Sequence, residues 1–495
     1  MLATERVPSA AQPDVAIAAD ALPGFVSPDS LLAPLQVFRQ LPLLRILSSY
    51  VPQTFWQRDT NDLPAASAAY REKLRDFSDR HLRPHALTLD QQFSECAHSV
   101  PQPAAIDTAL CEAGRAGLLS DLLPWPLGCT PWARYRHSLV WQQSLRTEEL
   151  ARADGGLMLL LSAHNLGLAP ILFSGNWQVI KQVVLPAFRA CEQGEPQLFA
   201  FAITEPGAGS DAEEGHVAAH NKPELVAHPA PGGWRLRGRK VFISGGDRAR
   251  WVVVLAALAG EGYPSWTAFL VDTLQPGFVR VRNEHKMGMR ASAATELEFC
   301  DCFVPDARVL GGLRNGWALS RATLNFSRLP VASMAVGFAQ AATDIATDHA
   351  CRQMLGGRPL IHYQHMQLGI ADLQAATASI RALVWEYARA WTPWQAKASI
   401  AKFQATDQAQ QVIERAMDLC GEMGLTHAMG LEKIFRDNRL TRIFEGTNQI
   451  NRLSVIEDQQ REFLDRIRRL DPGDSRSSNH PQAYCSMHVI SRGKI

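Results

Sequence analysis

The sequence predicts an α+β protein in which helices come first, strands follow and a helical bundle completes the fold. Two observations support this prediction. The hydrophobic period changes from helical to alternating near Phe199, and it becomes helical again from Trp317. The βαβ alternation of a Rossmann fold does not occur. We therefore expect an N-terminal extension, an α-helical domain, a β domain, a four-helix bundle and a tail, at residues 1–65, 66–198, 199–312, 313–470 and 471–495.

Composition excludes several classes of protein. The 495 residues are 46% hydrophobic and 20% charged, with a formal net charge of +1. A neutral balance provides no basic field, so we predict no nucleic-acid partner. Nine scattered cysteines show no zinc-ligand spacing and suit a reducing compartment, which predicts no metal and a cytoplasmic location. We find no signal peptide and no run of about 18 uncharged apolar residues, and we expect no membrane span.

The N-terminal half is built on helical periodicity. Residues 31–49 are apolar but contain Pro34 and Pro42, which is typical of a docked extension; a membrane-surface anchor is the alternative, although no basic face accompanies it. Tyr70, Leu74 and Phe77 form one helical stripe. We expect an amphipathic helix at LVWQQSLRTEELAR (139–152) and a buried segment at GGLMLLLSAHNLGLAPILF (155–173).

Alternation in the middle section predicts strands. From Trp234 the chain alternates, with Arg235, Arg237 and Arg239 on one face. That row suggests either a solvated strand face or a nucleic-acid stripe, and the lack of interleaved aromatics favours the solvated face. Helical periods return in LQAATASIRALV (373–384) and AQQVIERAMDLC (409–420), which is typical of a bundle.

Three segments contain residue types suited to chemistry. The loop ITEPGAGSD (203–211) follows a strand and could approach a ring or a phosphate, or be a plain turn. FISGG (242–246) offers an aromatic face beside a hydroxyl, or a β-turn. In RIFEGTNQI (442–450), Glu445 precedes a glycine that permits a sharp turn, so its carboxylate could face a pocket. Taken alone, it could equally be a surface acid near Arg442 and Arg452.

Taken together, ITEPGAGSD, FISGG, KMGMRAS, SRLPVASMAVG and IFRDNRLTRIFEGTNQINRL resemble the acyl-CoA dehydrogenase family, over about residues 66–465. RIFEGTN is most similar to the long- and very-long-chain branch, although this chain lacks that branch's long C-terminal domain. The resemblance implies an N-terminal helical domain, a middle β-barrel domain and a C-terminal four-helix bundle. It also implies non-covalent FAD, and a homotetramer or homodimer.

The resemblance implies a role for each matching residue. Glu445 would remove the α-proton of an acyl-CoA thioester while flavin N5 accepts the β-hydride, giving the trans-2-enoyl-CoA. The implied cofactor-binding residues are Phe201, Ile203, Thr204, Gly209, Ser210, Phe242, Ile243, Ser244, Arg352, Thr447, Asn448 and Gln449. The implied substrate-binding residues are Ser210, Asn325, Arg328, Phe444 and Gly446. Electron-transferring flavoprotein would be the electron acceptor in fatty acid metabolism.

The chain departs from the family pattern at several positions. Phe242 stands where Trp is usual, and Ser244 stands where Thr is common. Ser327 occupies the position at which some branches carry their base, which leaves Glu445 as the candidate. Asp418 and Glu422 interrupt the glycine segment expected near another subunit's FAD pyrophosphate, where anions would repel phosphate. Leu355 and the extra Gly357 alter the segment after Arg352.

Three other functions stay open at this point. The first is a dehydrogenase acting on an acyl thioester bound to a carrier protein, and the second is an acyl-CoA oxidase that passes electrons to O₂. The third is a DNA-associated, non-catalytic flavoprotein of the same superfamily, against which the near-neutral charge argues.

Overall fold

The computed structural model describes residues 54–95, 103–209, 222–391 and 394–470. The apolar stretch at 31–49, residue Ser210 and the tail at 471–495 lie outside the described residues. Of the described residues, those before Ala65 form one compact unit and those from Ala65 onward form another. The first unit contains helix α1 (Phe55–Asn61), which begins with a capping box between Thr54 and Gln57.

The second unit begins with helices, as the sequence predicts. They are α2 (Ala65–His81), α3 (Ala86–Glu95), α4 (Ala104–Arg115), α5 (Leu139–Ala153), α6 (Gly155–Ser174) and α7 (Leu185–Glu192), with a turn of helix at Trp177–Val179 and a π-helical turn at Ile180–Val184 before α7. Short 3₁₀ segments lie at Arg83–His85, Trp132–Arg136, Tyr263–Ser265, Asp306–Arg308, Leu360–His362, Gly421–Leu425 and His427–Met429. The stripe of Tyr70, Leu74 and Phe77 is buried.

Helix α5 differs from the prediction, because it is buried on all sides rather than amphipathic. Its acids are neutralised by partners from other helices. Glu148 accepts hydrogen bonds from Arg71 at 3.1 Å and from Arg381 at 2.9 Å, and Glu149 pairs with Arg71 at 2.8 Å. A buried charge is tolerated only when it is paired, so a polar helix face can lie in a core without facing water.

The strands form one mixed sheet of eight. They are β1 (Leu198–Ala202), β2 (Val226–Ala230), β3 (Gly233–Ser244), β4 (Ala249–Leu258), β5 (Thr267–Asp272), β6 (Phe278–Asn283), β7 (Ala294–Pro305) and β8 (Val309–Leu310). Their order is β6-β7-β3-β2-β4-β5-β8, and β1 pairs with β4 in parallel. The arginine row on β3 is a solvated face, because Arg235 and Arg237 are exposed and both pair with Asp301, at 2.7 and 2.8 Å.

Long helices return after the sheet. They are α8 (Gly316–Arg352), α9 (Gln364–Ala388), α10 (Gln395–Cys420), α11 (Leu431–Thr441) and α12 (Asn448–Leu470), with a two-stranded hairpin of β9 (Met354–Leu355) and β10 (Arg358–Pro359) between α8 and α9. Helix α8 packs on α9 and α10 and also on α5 of the N-terminal helices. The predicted apolar faces of α9 and α10 are buried at Leu373, Ile380, Val412 and Ile413.

Two of these helices are long and apolar enough to cross a membrane, namely α6 and α8. Helix α6 carries no Asp, Glu, Lys or Arg over its 20 residues, although Ser162, His164 and Asn165 interrupt its apolar sequence. In α6 and α8, 78% and 89% of the apolar window is buried inside the protein. Core helices of large domains have this composition, because their neighbours cover every face.

Candidate active site

A cavity of about 330 Å³ lies where four parts of the chain meet. Helices α5 and α6 form one wall, the end of β1 with the end of β3 forms a second, and the middle of α8 forms a third. The turn between α11 and α12 closes it. The cavity brings together ten of the residues named from the sequence: Phe201, Ile203, Thr204, Gly209, Phe242, Ile243, Ser244, Phe444, Glu445 and Gly446.

Glu445 lies on a strained turn between α11 and α12. It has a φ of 55° and Gly446 has a φ of 80°, so two consecutive residues adopt the left-handed region. This region is costly for a residue with a Cβ and persists only where neighbours hold it. Lys402 Nζ donates to the Gly446 carbonyl at 2.8 Å, and Asn451 Nδ2 donates to it at 2.9 Å. Lys402 is wholly buried. These two side chains therefore hold the turn.

The Glu445 carboxylate is a desolvated acid with positive charge nearby. Burial raises its pKa above the ordinary value, while a hydrogen bond from Ser327 and the charges of Arg328 and Lys402 oppose that rise. The Ser327 hydroxyl lies 2.5 Å from Glu445 Oε2. A carboxylate in this setting is a stronger base than one in water, and its partners still favour the ionised form.

The surface-acid alternative for Glu445 is excluded. The two arginines that it would have paired with are engaged elsewhere. Arg442 Nε and Arg452 Nη2 both contact the carboxylate of Asp407, at 2.6 and 2.8 Å. Glu445 instead lines the cavity.

The glycine loop after β1 is anchored by a buried ion pair. Lys240 Nζ lies 2.8 Å from Glu205 Oε1 and donates to the Ile203 carbonyl at 2.6 Å. Glu205 also accepts hydrogen bonds from Tyr263 Oη at 2.8 Å and from the Glu224 backbone N–H at 2.8 Å. Desolvation lowers the pKa of Lys240. Glu205 therefore stabilises the loop that carries Thr204 at the cavity wall.

The wall formed by β1 and β3 fits a flat ring with polar edge atoms, as in FAD. Phe242 is 59% exposed and has a φ of 59°, where β3 departs from regular pairing. The hydroxyls of Thr204 and Ser244 line the same cavity, and neither has a hydrogen-bond partner among the described residues. An exposed aromatic face beside two unused hydroxyls is the donor set that such a ring requires.

Several residues named from the sequence do not line the cavity. Asn325 lies outside the lining, and Arg328 is buried where a Cβ on Gly446 would approach its Nη2 to 3.5 Å. Arg328 lies in the interior of α8. The Asn448 amide is engaged by Lys402, Thr406 and Asp407 at 2.9, 2.9 and 3.0 Å, which gives it a structural role. Thr447 is half-buried and Gln449 is exposed.

The positions expected to face a neighbouring subunit are on the surface of this chain. Arg352 is 80% exposed and pairs with Asp348 one turn earlier at 2.9 Å. Asp418 and Glu422 are also exposed. These acids do not approach the cavity, so a charge conflict with the ring site inside this subunit does not arise.

One cluster among the described residues has metal-ligand chemistry, formed by Asp90, His427 and Glu432. Its carboxylates are already neutralised. Arg436 contacts Asp90 at 2.6 Å and Glu432 at 2.7 Å. A guanidinium between the two acids opposes a cation, and we propose no metal site there.

Sequence reasoning missed most of the cavity's helical walls. These lining residues come from α5, α6 and α8: Gln143, Thr147, Leu159, Ser162, Ala163, Asn165, Leu166, Leu324, Phe326, Pro330, Val331 and Met334. No periodic signal identifies them, because buried helices do not distinguish a residue that faces a cavity from one that faces a neighbour. Lys402 was missed for the same reason.

Comparisons with known proteins agree with this architecture. Models of the acyl-CoA dehydrogenase N-terminal, middle and C-terminal domains match residues 65–192, 200–302 and 314–459. The chain is 31% identical to the mitochondrial short-chain specific acyl-CoA dehydrogenase of Mus musculus over 80% of this chain and 90% of that protein. It is 34% identical to the cyclohex-1-ene-1-carbonyl-CoA dehydrogenase of Geobacter metallireducens, over 77% and 94%.

A solved structure shares the fold. Butyryl-CoA dehydrogenase from Megasphaera elsdenii superposes with a TM-score of 0.71 at 27% identity, covering 81% of this chain and 99% of that one. With three domain models in the expected order and relatives matched along most of their length, the chain belongs to the acyl-CoA dehydrogenase family.

Proposed function

We propose that the protein converts an acyl-CoA thioester to the trans-2-enoyl-CoA with bound FAD, and that Glu445 is the base. One observation carries the proposal. The Glu445 carboxylate, on its left-handed turn, lines the same cavity as Thr204, Phe242 and Ser244. A base and a ring site that share one cavity can act on adjacent carbons of one acyl group.

Glu445 can remove a weakly acidic proton because its surroundings raise the carboxylate's basicity. In water a carboxylate is far too weak a base for the α-proton of a thioester. Burial in the cavity raises the pKa of Glu445. The Glu445 backbone N–H makes no hydrogen bond to the described residues, so it is available to the thioester oxygen as negative charge develops there.

The residues that would hold FAD are those of the sheet wall. Thr204 and Ser244 would donate to polar ring atoms, Phe242 would lie against the ring, and Phe201 and Ile243 would shape the wall. FAD, when bound, supplies the acceptor for the β-hydrogen. The chain's own part is to place the acyl group between that wall and Glu445.

We infer a short or compact acyl group. The long- and very-long-chain branch, to which RIFEGTN pointed, finds no support in the comparisons. The named relatives are short-chain specific and cyclohex-1-ene-1-carbonyl-CoA dehydrogenases. These relatives are the support for a small acyl group.

Family membership supports three further proposals. The electron acceptor would be electron-transferring flavoprotein, the assembly would be a homotetramer or homodimer, and the location would be cytoplasmic. Arg352, at the end of α8, is exposed on this chain, which is compatible with a contact to a second subunit. No contact among the described residues favours a carrier-protein substrate, reaction with O₂ or DNA binding over acyl-CoA dehydrogenation.

An absorption spectrum of the purified protein, followed by anaerobic mixing with acyl-CoAs of different length and branching, tests the proposal. We expect a flavin spectrum that is bleached by at least one small acyl-CoA. A protein that binds no flavin, or whose flavin is bleached by none of the acyl-CoAs, contradicts it. Fast reoxidation by O₂, or bleaching by acyl-carrier substrates alone, would support the oxidase or carrier-protein alternative instead.

A further inference from the structure

Exposed aromatic side chains lie at one end of the helical bundle. Helix α9 ends at Ala388 and α10 begins at Gln395, and the connection between them carries Trp391 and Trp394. Their side chains are 67% and 56% exposed. Tryptophan is mostly buried in soluble proteins, so several exposed indoles close together mark a surface that binds something.

The loop between α4 and α5 adjoins this connection and adds two more tryptophans. Ser138, at the start of α5, donates a hydrogen bond to the Ala388 carbonyl at 2.9 Å. In the loop, Trp125 and Trp132 are 66% and 63% exposed. The Trp125 backbone N–H donates to the Thr130 carbonyl at 3.0 Å, so both indoles belong to one compact loop.

Helix α12 runs antiparallel to α10 toward the same end of the bundle. Asn448, at the start of α12, donates to Thr406 Oγ1 at 2.9 Å. Further along α12, Asp458 accepts a hydrogen bond from the Ala396 backbone N–H at 2.9 Å. Because Ala396 lies in the first turn of α10, α12 passes the start of α10 at Asp458 and continues to Leu470.

The part of α12 beyond Asp458 leaves the body of the protein. Every residue from 459 to 463 is exposed, and this run is longer than one helical turn, so no face of the helix is packed there. Phe463 is 64% exposed, and Leu453 and Ile456 are 50% and 48% exposed. Their spacing of three and seven residues places these three side chains on one face of α12, which is therefore an exposed apolar stripe.

The charge in this region is basic. Eight Arg or Lys residues and three Asp or Glu occur in its three segments, 122–138, 386–397 and 459–470, whereas the whole chain has a net charge of +1. Of the acids that adjoin these segments, Glu457 pairs with Arg321 at 2.8 Å and Asp458 caps α10. An anionic surface is the electrostatic complement of such a region.

We propose that this end of the bundle binds the surface of an anionic phospholipid bilayer. The tryptophans and the apolar stripe of α12 enter the headgroup region, and the basic residues contact the lipid phosphates. Indole is enriched at membrane–water interfaces because its apolar ring carries one polar N–H. Each Arg or Lys near an anionic leaflet adds about fivefold to the affinity.

Two other occupants fit the region less well. In a two-fold contact with a second copy of the chain, the same basic residues would face each other and repel. A nucleic acid would match the charge, but its phosphate backbone would leave the apolar stripe of α12 exposed to water. A bilayer surface accommodates both the charge and the stripe.

Flotation of the full-length holoenzyme with lipid vesicles tests the proposal. One set of vesicles is made of phosphatidylcholine, and the other also contains anionic phosphatidylglycerol. We expect the partition coefficient to be about tenfold or more higher for the anionic vesicles and to fall as salt is added, because basic residues supply the attraction. No binding to either set, or equal binding to both, overturns the proposal.

Replacement of the tryptophans locates the contact. Trp391→Ser combined with Trp394→Ser should lower the partition coefficient on anionic vesicles about tenfold or more, since two indoles leave the interface. Trp177→Ser is the matched control, because Trp177 is 47% exposed but lies in the helical turn after α6. We expect the control to bind like the unaltered protein. Binding that survives in the double variant places the membrane contact elsewhere in the chain and contradicts the proposal.

A charge substitution on α12 provides a second variant that leaves the fold intact. Arg466 is exposed and contacts Glu462 of the same helix at 2.6 Å. Arg466→Gln should weaken binding to anionic vesicles about fivefold. Arg235→Gln, on the solvated face of β3, should leave the binding unchanged. Equal losses in the two variants would show that overall charge governs binding, and the assignment to this surface would be wrong.

The other occupants are tested with the same variants. Duplex DNA that binds more tightly than anionic vesicles at the same salt concentration would assign the region to nucleic acid. An oligomer that Trp391→Ser with Trp394→Ser dissociates in sedimentation velocity would assign it to a subunit contact. Either result overturns the proposal. Vesicle binding is measured without acyl-CoA, so failure of the proposed dehydrogenation would leave this inference standing.

Discussion

The Ser327 hydroxyl donates a hydrogen bond of 2.5 Å to Glu445 Oε2, across 118 residues of sequence. It joins the middle of α8 to the turn before α12. The family resemblance implies that Ser327 occupies the position from which some branches extend their base, and the hydrogen bond brings that position to Glu445. In this chain Glu445 carries the carboxylate and Ser327 donates a hydrogen bond to it.

Glu445→Gln should keep bound FAD and lose flavin reduction by acyl-CoA by about 10³-fold or more, because an amide cannot accept the α-proton. Gln also keeps the shape that Ser327 contacts. Stopped-flow absorbance under anaerobic conditions measures the rate, and the flavin-to-protein ratio measures cofactor content. Reduction at the rate of the unaltered enzyme would show that another group removes the proton.

Ser327→Ala should move the acid limb of the pH–rate profile upward by about one pH unit. The hydrogen bond from Ser327 lowers the pKa of Glu445, so its loss lets burial raise that pKa further. Since only the ionised base reacts, activity falls at a higher pH than before. Ser333→Ala is the control, because Ser333 is buried on the same helix and donates to the Leu329 carbonyl. An unchanged acid limb in Ser327→Ala contradicts the argument.

Lys402→Met should reduce the free energy of unfolding by about 3 kcal/mol, because the Gly446 carbonyl and Asn448 Oδ1 lose a buried donor. The released turn should also lower kcat more than it raises KM. Urea unfolding and steady-state kinetics measure the two effects. Lys397→Met, an exposed change on the same helix, should stay within about 0.5 kcal/mol of the unaltered protein. Similar losses for both variants would deny Lys402 this role.

Lys240→Met should reduce the free energy of unfolding by about 3–5 kcal/mol and weaken FAD binding, since it leaves Glu205 charged and unpaired in the core. Adding Glu205→Gln to Lys240→Met should recover part of the loss, and the double-mutant cycle measures the coupling. Additive losses would mean that the two side chains act independently.

Acid should weaken the fold through His164. Burial lowers the pKa of His164 from 6.5 to about 4. The folded form therefore keeps this ring neutral where the unfolded chain binds a proton, and stability present above pH 6.5 is lost as pH falls toward about 4. We expect His164 to account for about 3 kcal/mol over that window.

Urea unfolding across the window, compared between the unaltered protein and His164→Gln, isolates this contribution. The variant should show a shallower loss of stability, because Gln does not titrate. His365→Gln, at an exposed position, should keep the slope of the unaltered protein. Equal slopes in His164→Gln and the unaltered protein would assign the acid sensitivity to other groups.

Much of the candidate site was predictable from local sequence. Turn chemistry alone left plain turns and a surface acid as alternatives, and motifs that resemble the acyl-CoA dehydrogenase family named Thr204, Phe242, Ser244 and Glu445, all of which line one cavity. Glycine positions were equally informative, because a left-handed turn such as that at Gly446 leaves a residue-type signal. These features depend on neighbours in sequence, so a single chain displays them.

The roles of Asn448 and of the acids on α5 were not predictable in this way. Asn448 stands beside the base in sequence, but its amide is engaged by α10. Helix α5 looks amphipathic as a string of residues, yet Arg71 and Arg381 from distant helices neutralise its polar face. A side chain's partners are chosen by packing, which local periodicity does not encode.

By itself the sequence determined the order of helices, strands and bundle, and the identity of the turn that carries Glu445. Hydrophobic periodicity and the conformational preference of glycine act over a few residues, so both can be recognised in the amino-acid sequence alone. Only the tertiary structure decided that Ser327 donates to Glu445, that Lys402 holds the turn of Glu445 and that Asn165 and Gln143 line the cavity. Those contacts join helices far apart in the chain, and their geometry exists only after the core has packed.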